Sequence, residues 1–86
     1  MTVAQTIETK LRKAFDPVSL AVIDESHLHA GHVGARPEGE THFRVEIVSA
    51  EFANQSRVQQ QRLVYQVLAD ELAGPVHALS VAATAP

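Results

Sequence analysis

The chain has 86 residues, 45% of them hydrophobic and 20% charged, with five histidines, no cysteine and a formal net charge of −3. That length holds one domain, residues 1–86, with a thin core, since a chain of this size buries only about 60–65% of its unfolded surface. The composition excludes intrinsic disorder and argues against a strong electrostatic grip on nucleic acid, although a local basic strip is compatible with it. Without cysteine there is no disulfide framework and no thiolate nucleophile or ligand. No stretch approaches the ~18 apolar residues of a membrane span. The opening residues carry no apolar signal run, so a cytoplasmic location is the expectation.

Val3, Ile7, Leu11 and Phe15 recur at a spacing of four and predict a first helix. Thr2 and Gln5 fit a capping box at its start, Lys10, Arg12 and Lys13 complement the dipole near its end, and Asp16-Pro17 stops it. Residues 18–25 read as a strand, with Val18, Leu20 and Val22 alternating with Ser19, Ala21 and Ile23. Periodicity is lost over 26–40, a stretch with three glycines and Pro37 that is long for a hairpin connection, and long loops are often functional.

Residues 41–49 give the cleanest strand. Phe43, Val45 and Ile47 point one way and His42, Arg44 and Glu46 the other. With no helix between the two strands, an antiparallel hairpin is the simplest pairing. A short helical turn is expected near Ala50–Ala53. Ser56 and Gln59 form a second capping-box pattern, opening a helix that runs to about Ala73 with Tyr65, Leu68 and Leu72 as its apolar stripe, widened by Val64 and Val67. Gly74-Pro75 ends it, the glycine in a left-handed C-terminal position. Residues 76–83 read as a last strand, parallel to the second because a helical crossover separates them. The expected architecture is α+β in the order αββααβ, a three-stranded mixed sheet with its helices packed on one face.

The histidines carry the most informative chemistry. Asp24-Glu25-Ser26-His27-Leu28-His29-Ala30-Gly31-His32 places three imidazoles in one short loop. Imidazole is a common ligand for borderline metals. If the last two strands run parallel, His77 starts the last strand at the loop's end of the sheet, near His27, His29 and His32. Histidines in exposed loops are ordinarily solvated, and no zinc-finger or metalloprotease motif is present. Alternation sets His42 opposite Phe43 and His77 with Leu79, which puts the two on opposite sides of the sheet and makes His42 a structural or surface residue. No nucleophile–base motif is recognisable, and Asp24-Glu25-Ser26 reads as a strand end with solvated charges rather than a catalytic run.

Four segments in order resemble the BolA-like family: Val22-Ile23-Asp24-Glu25-Ser26; Gly39-Glu40-Thr41-His42-Phe43-Arg44-Val45; Arg62-Leu63-Val64-Tyr65; and Glu71-Leu72-Ala73-Gly74-Pro75-Val76-His77-Ala78-Leu79. His29-Ala30-Gly31-His32 looks like the loop of some bacterial and plastid members. The resemblance implies a class II KH-like αββααβ fold and a non-enzymatic partner of monothiol glutaredoxins in iron–sulfur and iron homeostasis. It implies a [2Fe–2S] cluster bridged between the two proteins, with thiolates from glutaredoxin and glutathione and histidine from this chain. His77 matches the family's C-terminal histidine; the loop ligand is His29 or His32. Two imidazoles in place of two thiolates on one iron is the chemistry of Rieske centres. A cysteine-free chain can take part only in a shared site.

The alternative carried by the same resemblance is a DNA-binding transcriptional regulator that uses a helix-turn-helix-like element, here chiefly Arg57 and Arg62. This sequence departs from the family there. Phe52-Ala53-Asn54 stands where a glycine is common, and Gln60-Gln61-Arg62 where Arg-His-Arg is common. Asparagine tolerates left-handed geometry, so the turn is compatible with the change; the lost basic residues weaken the DNA reading.

Overall fold

The computed structural model describes residues 2–26 and 41–86. Helix α1 spans Val3–Phe15. The Thr2 hydroxyl accepts from the Gln5 N–H at 3.1 Å and the Gln5 side chain accepts from the Thr2 N–H at 2.9 Å, closing the expected capping box. The helix ends at Asp16, whose φ of 44° is left-handed and whose N–H donates to the Arg12 carbonyl. Pro17 gives the reason: the residue before a proline is kept out of the right-handed helical region.

Strand β1 is Ser19–Asp24 and β2 is His42–Val48, paired antiparallel with Leu20 opposite Ile47 and Asp24 opposite Phe43. A 3-10 turn at Ala50–Phe52 follows, then Asn54 at φ 63°, so the left-handed corner expected of this asparagine is present. Helix α2 runs Arg57–Val67 behind a complete Ser56/Gln59 capping box. A separate α3, Ala69–Ala73, follows a break at Leu68 (φ −102°, ψ 21°). The apolar pattern predicts one continuous helix to about Ala73, which the structure divides. Val64, Leu68 and Glu71, spaced i, i+4 and i+7, are buried along this stretch.

Strand β3, Ala78–Thr84, lies parallel to β2 with His42 opposite Ala78 and Val48 opposite Thr84. The sheet order β1-β2-β3 leaves β2 in the middle. Phe43, Val45 and Ile47 from β2, Leu79 from β3, Ile7, Leu11 and Phe15 from α1, and Val64 and Leu68 from the second helical segment form one core. The expected α+β architecture is therefore the observed one, with the helices on the face toward which Phe43, Val45 and Ile47 point.

Two local expectations are corrected. Gly74 ends α3 at φ −115°, not in the left-handed region; what favours glycine there is the Asp70 carbonyl, 3.3 Å from where a Cβ would sit. Tyr65 is 36% exposed rather than part of the buried stripe. Its hydroxyl donates to the Leu79 carbonyl at 3.0 Å, so its polar end ties α2 to β3.

Candidate functional site

Ser26 and Thr41, the described residues on either side of 27–40, are both buried. One hydrogen-bond cluster joins these two residues. Ser26 donates its N–H to Asp24 Oδ1 at 2.9 Å, an Asx-type turn. The Ser26 Oγ accepts from the N–H of Thr41 at 2.9 Å and from the N–H of His42 at 3.1 Å, and the Thr41 hydroxyl donates to it at 3.3 Å. Two backbone donors at the end of the sheet are thus satisfied by one serine oxygen, which burial makes obligatory. Asp24-Glu25-Ser26 is a strand end with its Asp24 carboxylate exposed, as expected, while Ser26 is buried and takes part in this cluster.

From this cluster Thr41 reaches the last strand. Its carbonyl accepts from the N–H of His77 at 2.7 Å and of Ala78 at 3.3 Å. Its Oγ1 lies 2.8 Å from Nδ1 of His42, so the hydroxyl fixes the rotation of that ring. The imidazoles of His42 and His77 lie face to face, centroids 6.4 Å apart with 29° between their planes.

That neighbourhood overturns the placing of His42 and His77 on opposite sides of the sheet. Strand β3 begins at Ala78, one residue after His77, which occupies a bend. The two-residue alternation of a strand does not extend to a residue outside the pleat. The exposed His77 ring therefore turns toward His42 instead of joining the buried Leu79. The other part of the expectation stands: the parallel β2–β3 pairing puts the start of β3 at the sheet end where Ser26 and Thr41 bracket the loop. His27, His29 and His32 lie outside the described residues.

Among the described residues no group of three or more histidine or carboxylate side chains could hold a metal ion alone. The described donors at this end include two imidazoles, one of them exposed, in a chain without cysteine. Such a set fits a metal group completed by ligands from outside, and His77 would be its most accessible ligand here.

The structure separates the two arginines of the nucleic-acid alternative. Both are exposed, and neither makes an ion pair among the described residues. Five residues apart on α2, they lie about 140° apart around the helix axis. Arg57 borders a groove beside Val81–Thr84, and Arg62 borders a separate shallow depression with Asn54, Gln55 and Gln59.

Sequence reasoning missed Ser26, Thr41 and a third buried hydroxyl, Ser49, which donates to the Phe15 carbonyl at 2.6 Å and ties the end of α1 to the end of β2. It also missed the ion pair of Lys10 with Glu71, where Nζ lies 2.9 and 2.8 Å from the two carboxylate oxygens. The Glu71 hydrogen bond raises the Lys10 pKa above its ordinary 10.5. Only the Asp24-x-Ser26 spacing offered a local signal for any of these.

Fold and site together define a small α+β module that presents a histidine pair at one end of a mixed sheet, beside the joined residues Ser26 and Thr41. The chain belongs to the BolA-like family: the family model described as BolA-like protein matches residues 11–86. It is 48% identical over 84 residues to the SufE-like protein 1, chloroplastic/mitochondrial, of Arabidopsis thaliana, covering 93% of this chain and 23% of that one. It is 43% identical over 81 residues to the DNA-binding transcriptional regulator BolA of Haemophilus influenzae, covering 94% of this chain and 75% of the relative. The BolA domain of SufE1 from Arabidopsis thaliana superposes with a TM-score of 0.87 at 47% identity, covering 96% of this chain and 91% of that domain. The chain thus spans less than a quarter of the full SufE-like relative. No helix among the described residues is long and apolar enough to cross a membrane.

Proposed function

We propose that this chain is a non-enzymatic adaptor that binds a monothiol glutaredoxin and shares a [2Fe–2S] cluster with it through histidine. The observation that carries the reading is the exposed His77 imidazole, held at the sheet end by the Thr41 carbonyl, with Ser26 and Thr41 joined beside it. A bound cluster would supply electron-transfer and sulfide chemistry. This chain's part is to offer His77, with His29 or His32 from the loop, to a metal whose thiolates come from glutaredoxin and glutathione. The Ser26–Thr41 cluster joins Ser26 and Thr41 at the sheet end that carries His77, so less ordering remains when the partner arrives.

The test mixes the apo chain with cluster-loaded monothiol glutaredoxin and records visible absorption and circular dichroism alongside size exclusion. The expected result is a heterodimer with a changed cluster spectrum, and a different spectrum for His77→Ala. An unchanged spectrum with no heterodimer refutes the reading.

A second reading, a DNA-binding transcriptional regulator, is favoured by the similarity to the DNA-binding transcriptional regulator BolA of Haemophilus influenzae and by Arg57 and Arg62, which make no ion pair among the described residues. Binding through phosphates weakens steeply as salt rises. The absence of a mobility shift at low salt, with duplex DNA in excess, removes it.

A further inference from the structure

β3 is an edge strand, and natural proteins usually blunt such edges with charge, proline or a covering element. Its sequence, Ala78-Leu79-Ser80-Val81-Ala82-Ala83-Thr84, has neither charge nor proline. The phase of its ladder follows from two hydrogen bonds: Ala78 N–H to the Thr41 carbonyl, and Ser49 N–H to the Thr84 carbonyl. In a parallel pair, residues that bond one neighbour alternate with residues whose N–H and C=O point the other way. Ala78, Ser80, Ala82 and Thr84 therefore face β2, and Leu79, Val81 and Ala83 face outward.

The outward carbonyl of Leu79 is taken by the Tyr65 hydroxyl at 3.0 Å. Beyond it, Val81 and Ala83 present two N–H and two C=O groups to the groove that Val58, Gln60 and Gln61 of α2 border from the other side. Val58 is 55% exposed. At the same groove stands Arg57, the first residue of α2 and without an ion pair among the described residues.

We propose that the β3 edge between Tyr65 and Thr84 is a docking site for an extended, acidic peptide segment of a partner protein, added as a fourth strand. A row of alternating backbone donors and acceptors is matched by another polypeptide strand. Apolar side chains of the added strand cover Val58 and Val81, and a carboxylate of the segment pairs with Arg57. A single cation beside an apolar groove, on a chain of net charge −3, matches an acidic peptide better than a polyphosphate backbone. The surface lies along the opposite edge of β3 from His42, so the site extends the reading above rather than resting on it.

The probe is the acetylated, amidated hexapeptide Glu-Val-Thr-Val-Thr-Glu, whose two acidic ends place a carboxylate near Arg57 in either strand direction. It is titrated to about 1 mM into the isotope-labelled full chain while amide shifts are followed. The expected result is saturable movement of the Val81 and Ala83 amides. Backbone N-methylation at both valines and both threonines should weaken binding about tenfold, since the valines in an antiparallel strand, or the threonines in a parallel one, then lose two hydrogen bonds to β3. Arg57→Glu should reverse the preference toward a lysine-ended peptide. Ala83→Pro removes an outward N–H without touching the β2–β3 ladder and should also weaken binding; if that variant does not fold, the N-methylated peptide decides. The proposal is overturned if the amides do not move, or if the N-methylated peptide binds equally well. It is also overturned if only a thymidine oligonucleotide moves them, or if the edge is occupied by a second copy of the chain, seen as dimer by sedimentation.

Discussion

Ser26 has the largest structural role for its size. Its hydroxyl oxygen is the hydrogen-bond acceptor for the N–H groups of Thr41 and His42, in a site 5% exposed. Ser26→Ala leaves those donors unsatisfied, and an orphaned buried donor costs about 1–3 kcal/mol. Urea denaturation should show a loss in that range, and a midpoint within error of the parent would contradict the role. Asn54 is the second such residue. At φ 63° it occupies the left-handed region that β-branched side chains avoid. Asn54→Val is expected to cost about 1–2 kcal/mol and Asn54→Gly to be nearly neutral, by the same measurement. That preference was readable from the sequence because it depends only on the residue's own backbone. Ser26 was not, because its partners lie 15 and 16 residues away.

The helices illustrate the same division. Both capping boxes were legible, since each is closed between residues three apart. The break at Leu68 was not, because neither glycine nor proline marks it in the sequence. Lys10 on α1 was read as a complement to the helix dipole, yet its ammonium grips Glu71 on α3, 61 residues away. The Glu71 hydrogen bond raises the Lys10 pKa in the folded state. A raised lysine pKa contributes stability that is fully present below the unfolded value, near 10.5, and is lost as pH rises through the folded one. Thermal melts from pH 8 upward should therefore show an alkaline decline that is smaller in Lys10→Met. Equal slopes in the two proteins would assign the decline to other groups.

At the scale of the sheet, among the described residues β2 is paired on both sides and β3 on one. Amide exchange should be slowest in β2 at Phe43–Ile47. Along β3 it should alternate, with Ser80 and Ala82 protected by the ladder and Val81 and Ala83 exchanging faster. Uniform protection along β3 would mean that its outer edge is covered, and would contradict the open groove beside α2. The prediction belongs at this scale because protection depends on a strand's place in the sheet, not on its own sequence.

Element order, both helix starts, the antiparallel and parallel pairings and the face of β2 that makes the core all follow from patterns a few residues long: period 3.6, period 2, caps and a proline. Those patterns belong to the sequence because backbone geometry and local hydrogen bonds act within one or two turns. The meeting of His42 with His77 belongs to the tertiary structure. Alternation set them apart. The bend before Ala78, held by the Thr41 carbonyl, brought their rings to 6.4 Å. A residue outside the pleat takes its direction from whatever holds its backbone, and here the holder lies across the sheet.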